Sequence, residues 1–536
     1  MSNAPTRWVR DARRAMARLP RLSMTLGMTR APDAPALPVR DPWPGDANQG
    51  ARLLRGEIDM LGATRALKIG GWQDASGPAL LRARAHSFTW LRDLRALGTD
   101  AARLKARALV ADWIATPPTD EVAHRPDVTG ARIAAWLGNY DFFFAAADDL
   151  FRQRLMARLV ADARWLAAAV PAEEMDARAL TALKGLIAAA TAMPDHASYM
   201  TRALRFLTQE LARQVLPDGC HAERSPVAHL AALQDLTEIR ALLQAAQVQP
   251  PAGLAGAIDR MGPVLRVLRH GDGGLALFNG SREDSSALIE QVLAQAGRAN
   301  RAPSSLPNGG FQRLQAGRTV MIVDCGAPPP RGVDRFAHAG TLSMEISVGR
   351  ERMIVNCGAA PAASREWADA LRSTAAHSTL VIADTSSSEL RVDRLGRRPD
   401  KVTAQRQEDN GALWLDASHD GWKKPFGAIH HRRLWLAQSG DEIRGEDAVE
   451  AATPQPYVLR FHLHPGVQAN LQQDGGAVLL RMPSGAGWRL RANAAKLSLE
   501  ESVYMGGTEP RRSEQVVLTG YADGPQQVKW AISKVG

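Results

Sequence analysis

Two histidines precede short apolar strands, where a side chain can leave a sheet. His338 lies in Phe336–Gly349, FAHAGTLSMEISVG, in which Leu342, Met344, Ile346 and Val348 alternate with polar residues. That period of two marks a β-strand. His377 lies in Ser373–Ile382, STAAHSTLVI, ahead of a second strand. An imidazole near neutrality is a natural acid, base or charge neutraliser. A third histidine, His221, sits with Glu223 and Arg224 in LPDGCHAERSP, Leu216–Pro226. Pro226 is placed to open a helix after this loop. Three polar side chains there suit a charged sugar; the plain alternative is a Glu223–Arg224 ion pair with His221 as a cap. Upstream, GARIAAWLGNYD puts Arg132, Trp136, Asn139 and Tyr140 near one helical face. Arg forks pair with carboxylates and aromatic rings stack on sugar faces. The competing reading is a core tryptophan beside a salt bridge. His462 and His464 are two apart on a strand and share a face; a metal pair or two surface histidines would both fit. His229, among apolar helical residues, reads as a structural histidine. Arg511 and Arg512 read as a solvated loop or a positive rim.

The elements that must position these groups fall into two styles. From about Gly50 to Gly297 apolar residues recur three and four apart, as in Leu155, Leu159, Ala163 and Leu166, or Leu204, Leu207, Leu211 and Val215. These are helical stripes. Pro117–Pro118, Leu216–Gly219 and Pro250–Pro251 punctuate them. The pattern predicts many antiparallel helices, as a bundle or an α/α toroid. NRAPSSLPNGG, residues 300–310, reads as a linker. Beyond it short strands recur at sandwich spacing, among them Thr319–Asp324, Leu342–Val348, Arg352–Asn356, Tyr457–Leu463, Ala477–Arg481 and Gly487–Ala492. The expected organisation is an extended basic arm (1–49), a helical domain (50–299), the linker (300–310) and an antiparallel β-sandwich (311–536). Asp41-Pro42-Trp43-Pro44-Gly45 reads as a rigid aromatic element docking the arm on the helices.

A chain of 536 residues with 45% hydrophobic content is ordinary for a two-domain globular protein. No apolar run approaches the roughly 20 residues of a membrane span. The Arg-rich start has no uninterrupted apolar segment, which argues against an export signal and for the cytoplasm. Three cysteines without a CxxC pair exclude a disulfide framework and a thiolate zinc site. The net charge, 66 − 56 = +10, favours anionic partners. With no run of five basic residues and no nucleic-acid motif, nucleic acid is not expected as a partner. The glycine-rich HGDGGLALFNGS at His270–Ser281 matches neither a P-loop nor a dinucleotide fingerprint. It reads as a turn pair.

The order of motifs resembles the heparinase II/III-like family. Its members carry H-A-D-x-L-S-F-E-L, a V-D-x-G strand and S-T-x-A-H-N-T-L in the C-terminal domain, and D-G-G-x-x-E-x-S-P-x-Y-H and G-x-R-I-x-x-W-L in the helical one. The resemblance implies an incomplete α/α toroid followed by an antiparallel β-sandwich. It also implies a lyase that cleaves uronic-acid-containing acidic polysaccharide by β-elimination. On that reading His221, His338 and Tyr140 are the catalytic candidates, and Asn139, Arg132, Trp136, Glu223, Arg224 and His377 the substrate-binding ones.

The chain departs from the family pattern at defined places. The S-P-x-Y-H tyrosine is Ala228, and the N-N-H ahead of the A-K-A-L segment corresponds to Asp176-Ala177-Arg178 before Lys184. Gly340 replaces the Asp of H-A-D and Asn356 the Asp of V-D-x-G, a position that helps hold a metal in some relatives. No cofactor is therefore expected, and a divalent metal is doubtful. The alternative function is a non-catalytic glycan-binding or envelope polysaccharide-processing protein on the same scaffold. Relatives are often periplasmic, so the periplasm or envelope is the alternative location. A glycoside hydrolase would need a second carboxylate opposite Glu223, and none stands out.

Overall fold

The computed structural model describes residues 31–535 except 61–62, 145–146, 172–175, 194–196, 298–301, 473–474 and 494–495. The basic arm up to residue 30 and the first two linker residues lie outside the described residues. The chain divides into two compact units: Met1–Gln214 with Ala231–Ile258, and Val215–Leu230 with Asp259–Gly536.

The first unit is helical. Thr99 caps the helix Asp100–Ala115 and Asp148 caps Asp149–Ala169, each accepting a backbone N–H of the first turn. The stripe Leu155, Leu159, Ala163 and Leu166 is fully buried, as its spacing predicts. Helices Pro126–Gly138 and Arg178–Ala192 cross at glycines: a Cβ on Gly185 would stand 2.2 Å from the Gly130 Cα. Only hydrogen fits at that crossing. Trp43 is buried, Asp41 N donates to Gly138 O (3.0 Å), and Arg95 donates to Trp43 O (2.8 Å). The Asp41–Gly45 segment therefore docks on the helices.

The second unit is built on two antiparallel sheets. One has eight strands, in the order Val402–Asp409, Ala412–Trp422, Ala428–Leu436, Glu442–Glu450, Gln526–Val535, Gly487–Ala492, Ala477–Arg481 and Gln468–Leu471. The other has nine, running Lys496–Tyr504, Arg511–Ala522, Gln455–Leu463, Glu351–Val355, Met344–Val348, Thr319–Asp324, Phe311–Ala316 and Ser305–Leu306, with Leu380–Ile382 on the side of Gln455–Leu463. Met344, Ile346, Leu459 and Phe461 of the second sheet share a core with Leu415, Leu434, Ile443 and Ile532 of the first. Face-to-face burial of alternate residues is the sandwich arrangement. The loop bearing His221 and the segment 259–297 belong to this unit, so the compact units do not divide at one point in the chain.

Candidate functional site

The site is assembled by a short left-handed turn, Asn279-Gly280, with φ of +46° and +76°. Asn and Gly tolerate this region best. The turn aims the Asn279 amide at two loops. Its Nδ2 donates to Arg224 O (3.0 Å), and its Oδ1 accepts from His338 N–H (3.1 Å). Next to it, Ser281 Oγ meets Ser225 Oγ at 3.0 Å and accepts from Val227 N–H at 3.1 Å. The loop ending at Arg224 and the strand entry bearing His338 are thus one side chain apart. Pro226 opens the helix Pro226–Ala245, as predicted.

His338 ends a hydrogen-bonded series whose direction can be assigned. The Ser373 carbonyl can only accept, so His377 Nδ1 carries a proton and donates to it (2.7 Å). His377 is neutral, since burial pulls it down to about 4. Its Nε2 is therefore an acceptor, and His338 Nδ1 donates to it at 3.1 Å. Burial, with His377 and Arg372 nearby, also lowers His338 well below the ordinary imidazole range. The unshared pair of His338 is left on Nε2. A Cβ on Gly280 would be 3.9 Å from that nitrogen, so the turn packs beside it. The arrangement is an imidazole oriented by a second group, itself oriented by a third.

The other groups expected beside it are buried. Arg224 donates from Nε to Gly309 O (2.6 Å), from Nη1 to Ala327 O (2.6 Å), and from Nη2 to Asp324. Its fork is consumed inside the unit and is not open to a sugar carboxylate. Burial raises the Asp324 carboxyl, against the pull of Arg224. His221 is fully buried, with Nδ1 accepting from Glu223 N–H at 3.3 Å; Glu223 is buried too. His229 bridges His221 N–H and Met261 O, and burial takes it down to about 4. That is the structural histidine expected.

Arg132, Trp136, Asn139 and Tyr140 lie in the helical unit. Arg132 is wholly buried, paired with Asp162 at 3.0 Å and 4.2 Å over the Trp113 ring, and Trp136 packs beside them. These are core residues, which corrects their expected role as sugar contacts; the aromatic surroundings, not helical position, set it. Asn139 spends its amide hydrogens on Asp41 and Ala135 O. The Tyr140 hydroxyl is enclosed without a hydrogen-bond partner among the described residues, and burial pushes it up to about 12, away from the range of a base at neutral pH. His462 and His464 are not a matched surface pair. His462 is buried between Ser502 Oγ (2.8 Å) and Ala375 O (2.9 Å), while His464 faces Glu283 at 3.9 Å.

The residues at Gly340, Asn356 and His377 do not fit a metal. Gly340 offers no ligand, Asn356 Oδ1 accepts from Ser378 N–H (2.9 Å), and both His377 nitrogens are engaged. Among the described residues no group of three or more His, Cys, Asp or Glu could hold a metal ion.

Two family models cover most of the chain: the heparinase II/III N-terminus over residues 103–300 and the heparinase II/III-like C-terminal domain over residues 298–531. The chain belongs to the heparinase II/III-like family. Among similar proteins is FtsZ-localized protein C of Caulobacter vibrioides, 32% identical over 518 residues, covering 92% of this chain and 89% of that one. A heparinase III crystal structure superposes with a TM-score of 0.74 over 98% of this chain and 89% of the other, at 14% identity. A mutant of the heparan sulfate lyase of Pedobacter heparinus gives 0.61 over 98% and 88%, at 15% identity. The heparinase III-like fold is therefore established, as a helical N-terminal part followed by antiparallel sheets. No described helix is long and apolar enough to cross a membrane.

Asn279, Ser281 and Ser373 were not among the residues the sequence singled out. The signal for Asn279 was its Asn-Gly pair, a turn that requires positive φ.

Proposed function

We propose that this protein cleaves uronic-acid-containing polysaccharide by β-elimination, with His338 as the proton-transfer residue. The observation that supports it is the series Ser373 C=O, His377, His338, which leaves an oriented lone pair on His338 Nε2. In the reaction Nε2 takes the proton from C5 of the uronate. The C–H pair becomes the C4=C5 double bond as the C4–O4 bond breaks. The imidazolium then returns the proton to the departing O4, so one nitrogen serves as base and acid. Burial disfavours the imidazolium in the free protein; a bound carboxylate offsets this by placing negative charge beside it. Neutralising that carboxylate is a separate task, and Arg224 is not free for it.

A second reading is a non-catalytic glycan-binding protein on the same scaffold. Ala228 at the family's tyrosine position and the enclosed Tyr140 hydroxyl favour it. Incubation with a panel of uronate polymers separates the two. Ultraviolet absorbance from a conjugated double bond, lost in His338→Ala, supports elimination. Binding without new absorbance supports the second reading, and new reducing ends without absorbance mean hydrolysis. The name of the Caulobacter relative suggests a location with FtsZ, which imaging of a fluorescent fusion beside labelled FtsZ would test.

A further inference from the structure

Arg372 brackets His338. Its side chain donates from Nε to Ala337 O at 3.1 Å, and its own carbonyl accepts from Ala339 N–H at 2.8 Å. The same guanidinium reaches a small hairpin formed by Leu390–Arg391 and Arg394–Leu395. It donates from Nη1 to Arg391 O (2.9 Å) and from Nη2 to Arg394 O (3.3 Å). A second tie runs through buried Asp334, which accepts from Leu395 N–H (3.1 Å) and Gly332 N–H (3.1 Å) and pairs with Arg398 at 2.5 Å. The hairpin is therefore fixed to the segment carrying His338 from both sides.

The hairpin presents Arg394 and Arg391 beside Asp393, with Arg391 donating from Nε to Glu389 at 3.2 Å. Arg391, Val392, Asp393 and Arg394 are exposed, as is Arg331 on the neighbouring loop. Arg394 and Arg331 form no hydrogen bond or ion pair through their side chains with any described residue. Arg335 lies over the half-buried Phe336 ring at 5.3 Å and pairs with Asp393 at 3.5 Å. Phe336 is two residues from His338, and its carbonyl rests 3.1 Å from where a Cβ on Gly280 would be. A half-buried ring under the Arg335 guanidinium, on the segment to which Arg372 ties the arginine-bearing hairpin, suits a carboxylated sugar ring. One exposed valine is too little apolar surface to insert in a bilayer.

We infer that the hairpin Leu390–Leu395, with Arg331 and Phe336, is a second subsite for an acidic polysaccharide, held at fixed distance from His338 by Arg372. This deepens the proposed function and rests on it for the substrate class. The test uses the full chain in two backgrounds. In His338→Ala, retardation in gels cast with alginate, polygalacturonate, hyaluronan or heparan sulfate reads binding alone. In the native background, steady-state rates on polymer and on the shortest cleaved oligomer read turnover. Arg391→Ala with Arg394→Ala is expected to weaken retardation and raise KM on polymer roughly tenfold, the scale of one charge-assisted hydrogen bond. The kcat and the melting temperature are expected to hold. Phe336→Leu is expected to weaken retardation as well.

Unchanged retardation in the arginine pair overturns the inference, as does no retardation by any of the four polymers. It is also overturned if the pair loses binding only to vesicles containing anionic lipid. If the native chain yields no unsaturated product while the arginine pair still abolishes retardation, the subsite stands and the lyase reading falls.

Discussion

Gly340 stands against the edge of the His377 ring: a Cβ built there would lie 2.7 Å from Cδ2 and 3.0 Å from Nε2. The missing side chain lets His377 lean onto His338. Gly340→Ala is therefore expected to push the ring off His338 Nδ1 and to cost about 1–3 kcal/mol by overpacking. Urea unfolding gives the stability change. A rate that stays at the native level in a folded variant would mean the His377 contact is dispensable.

His377→Ala removes the acceptor that fixes the His338 tautomer. The lone pair then divides between Nδ1 and Nε2, and the expected loss falls in kcat, on the order of 10²-fold, with little change in KM. In the native protein, nitrogen-15 spectra of labelled histidine should place the proton of His338 on Nδ1 near pH 7. A dominant Nε2–H form would contradict the assignment.

Much of the architecture was legible because it is local. Thr319–Asp324, Ala477–Arg481 and Gly487–Ala492 form strands over the residues expected, because alternation or β-branched runs mark them. Val402–Asp409 and Glu442–Glu450 escaped notice. The first has only half-buried and exposed residues, and the buried face of the second mixes Gly445 and Asp447 with Ile443 and Val449. Leu342, expected to open a strand, has φ +62° and lies in a turn before Met344–Val348. The helical face of Arg132 and Trp136 looked like a binding face because spacing does not report what packs against it. Here Asp162, on another helix, and the Trp113 ring close over the guanidinium. The position of His338 ahead of a strand was readable from its motif. The role of Asn279 was not, because contacts with Arg224, 55 residues away, and with His338, 59 residues away, leave no periodic trace.

Acid should weaken the fold. Burial takes His377 and His229 to about 4 and His462 to about 3, and His338 moves the same way. In the unfolded chain each returns to about 6.5. As the folded values are the lower ones, the unfolded state takes up protons first when pH falls. Stability is complete above about pH 6.5 and declines toward pH 4, by about 1.4 kcal/mol per pH unit for each group. Urea midpoints between pH 7.5 and 5 measure the slope. His229→Gln should lower it by one group's share, and an unchanged slope would show that His229 does not titrate on unfolding.

The Arg224–Asp324 pair joins stability to the site. Both side chains are buried, and Arg224 also serves the Gly309 and Ala327 carbonyls while its own carbonyl receives Asn279. Asp324→Ala leaves a buried guanidinium without its counter-charge, which should cost about 3–5 kcal/mol. Arg224→Lys keeps the charge but not the fork, so the carbonyls lose donors fixed in direction. It should destabilise less than Asp324→Ala, yet still loosen the Asn279 hook on His338. The measurements are a urea melt and the exchange rate of the His338 amide, whose hydrogen bond to Asn279 reports the site. Fast amide exchange in a lysine variant that melts near the native midpoint is the expected pattern. Slow exchange there would mean that Arg224 holds the fold without holding His338.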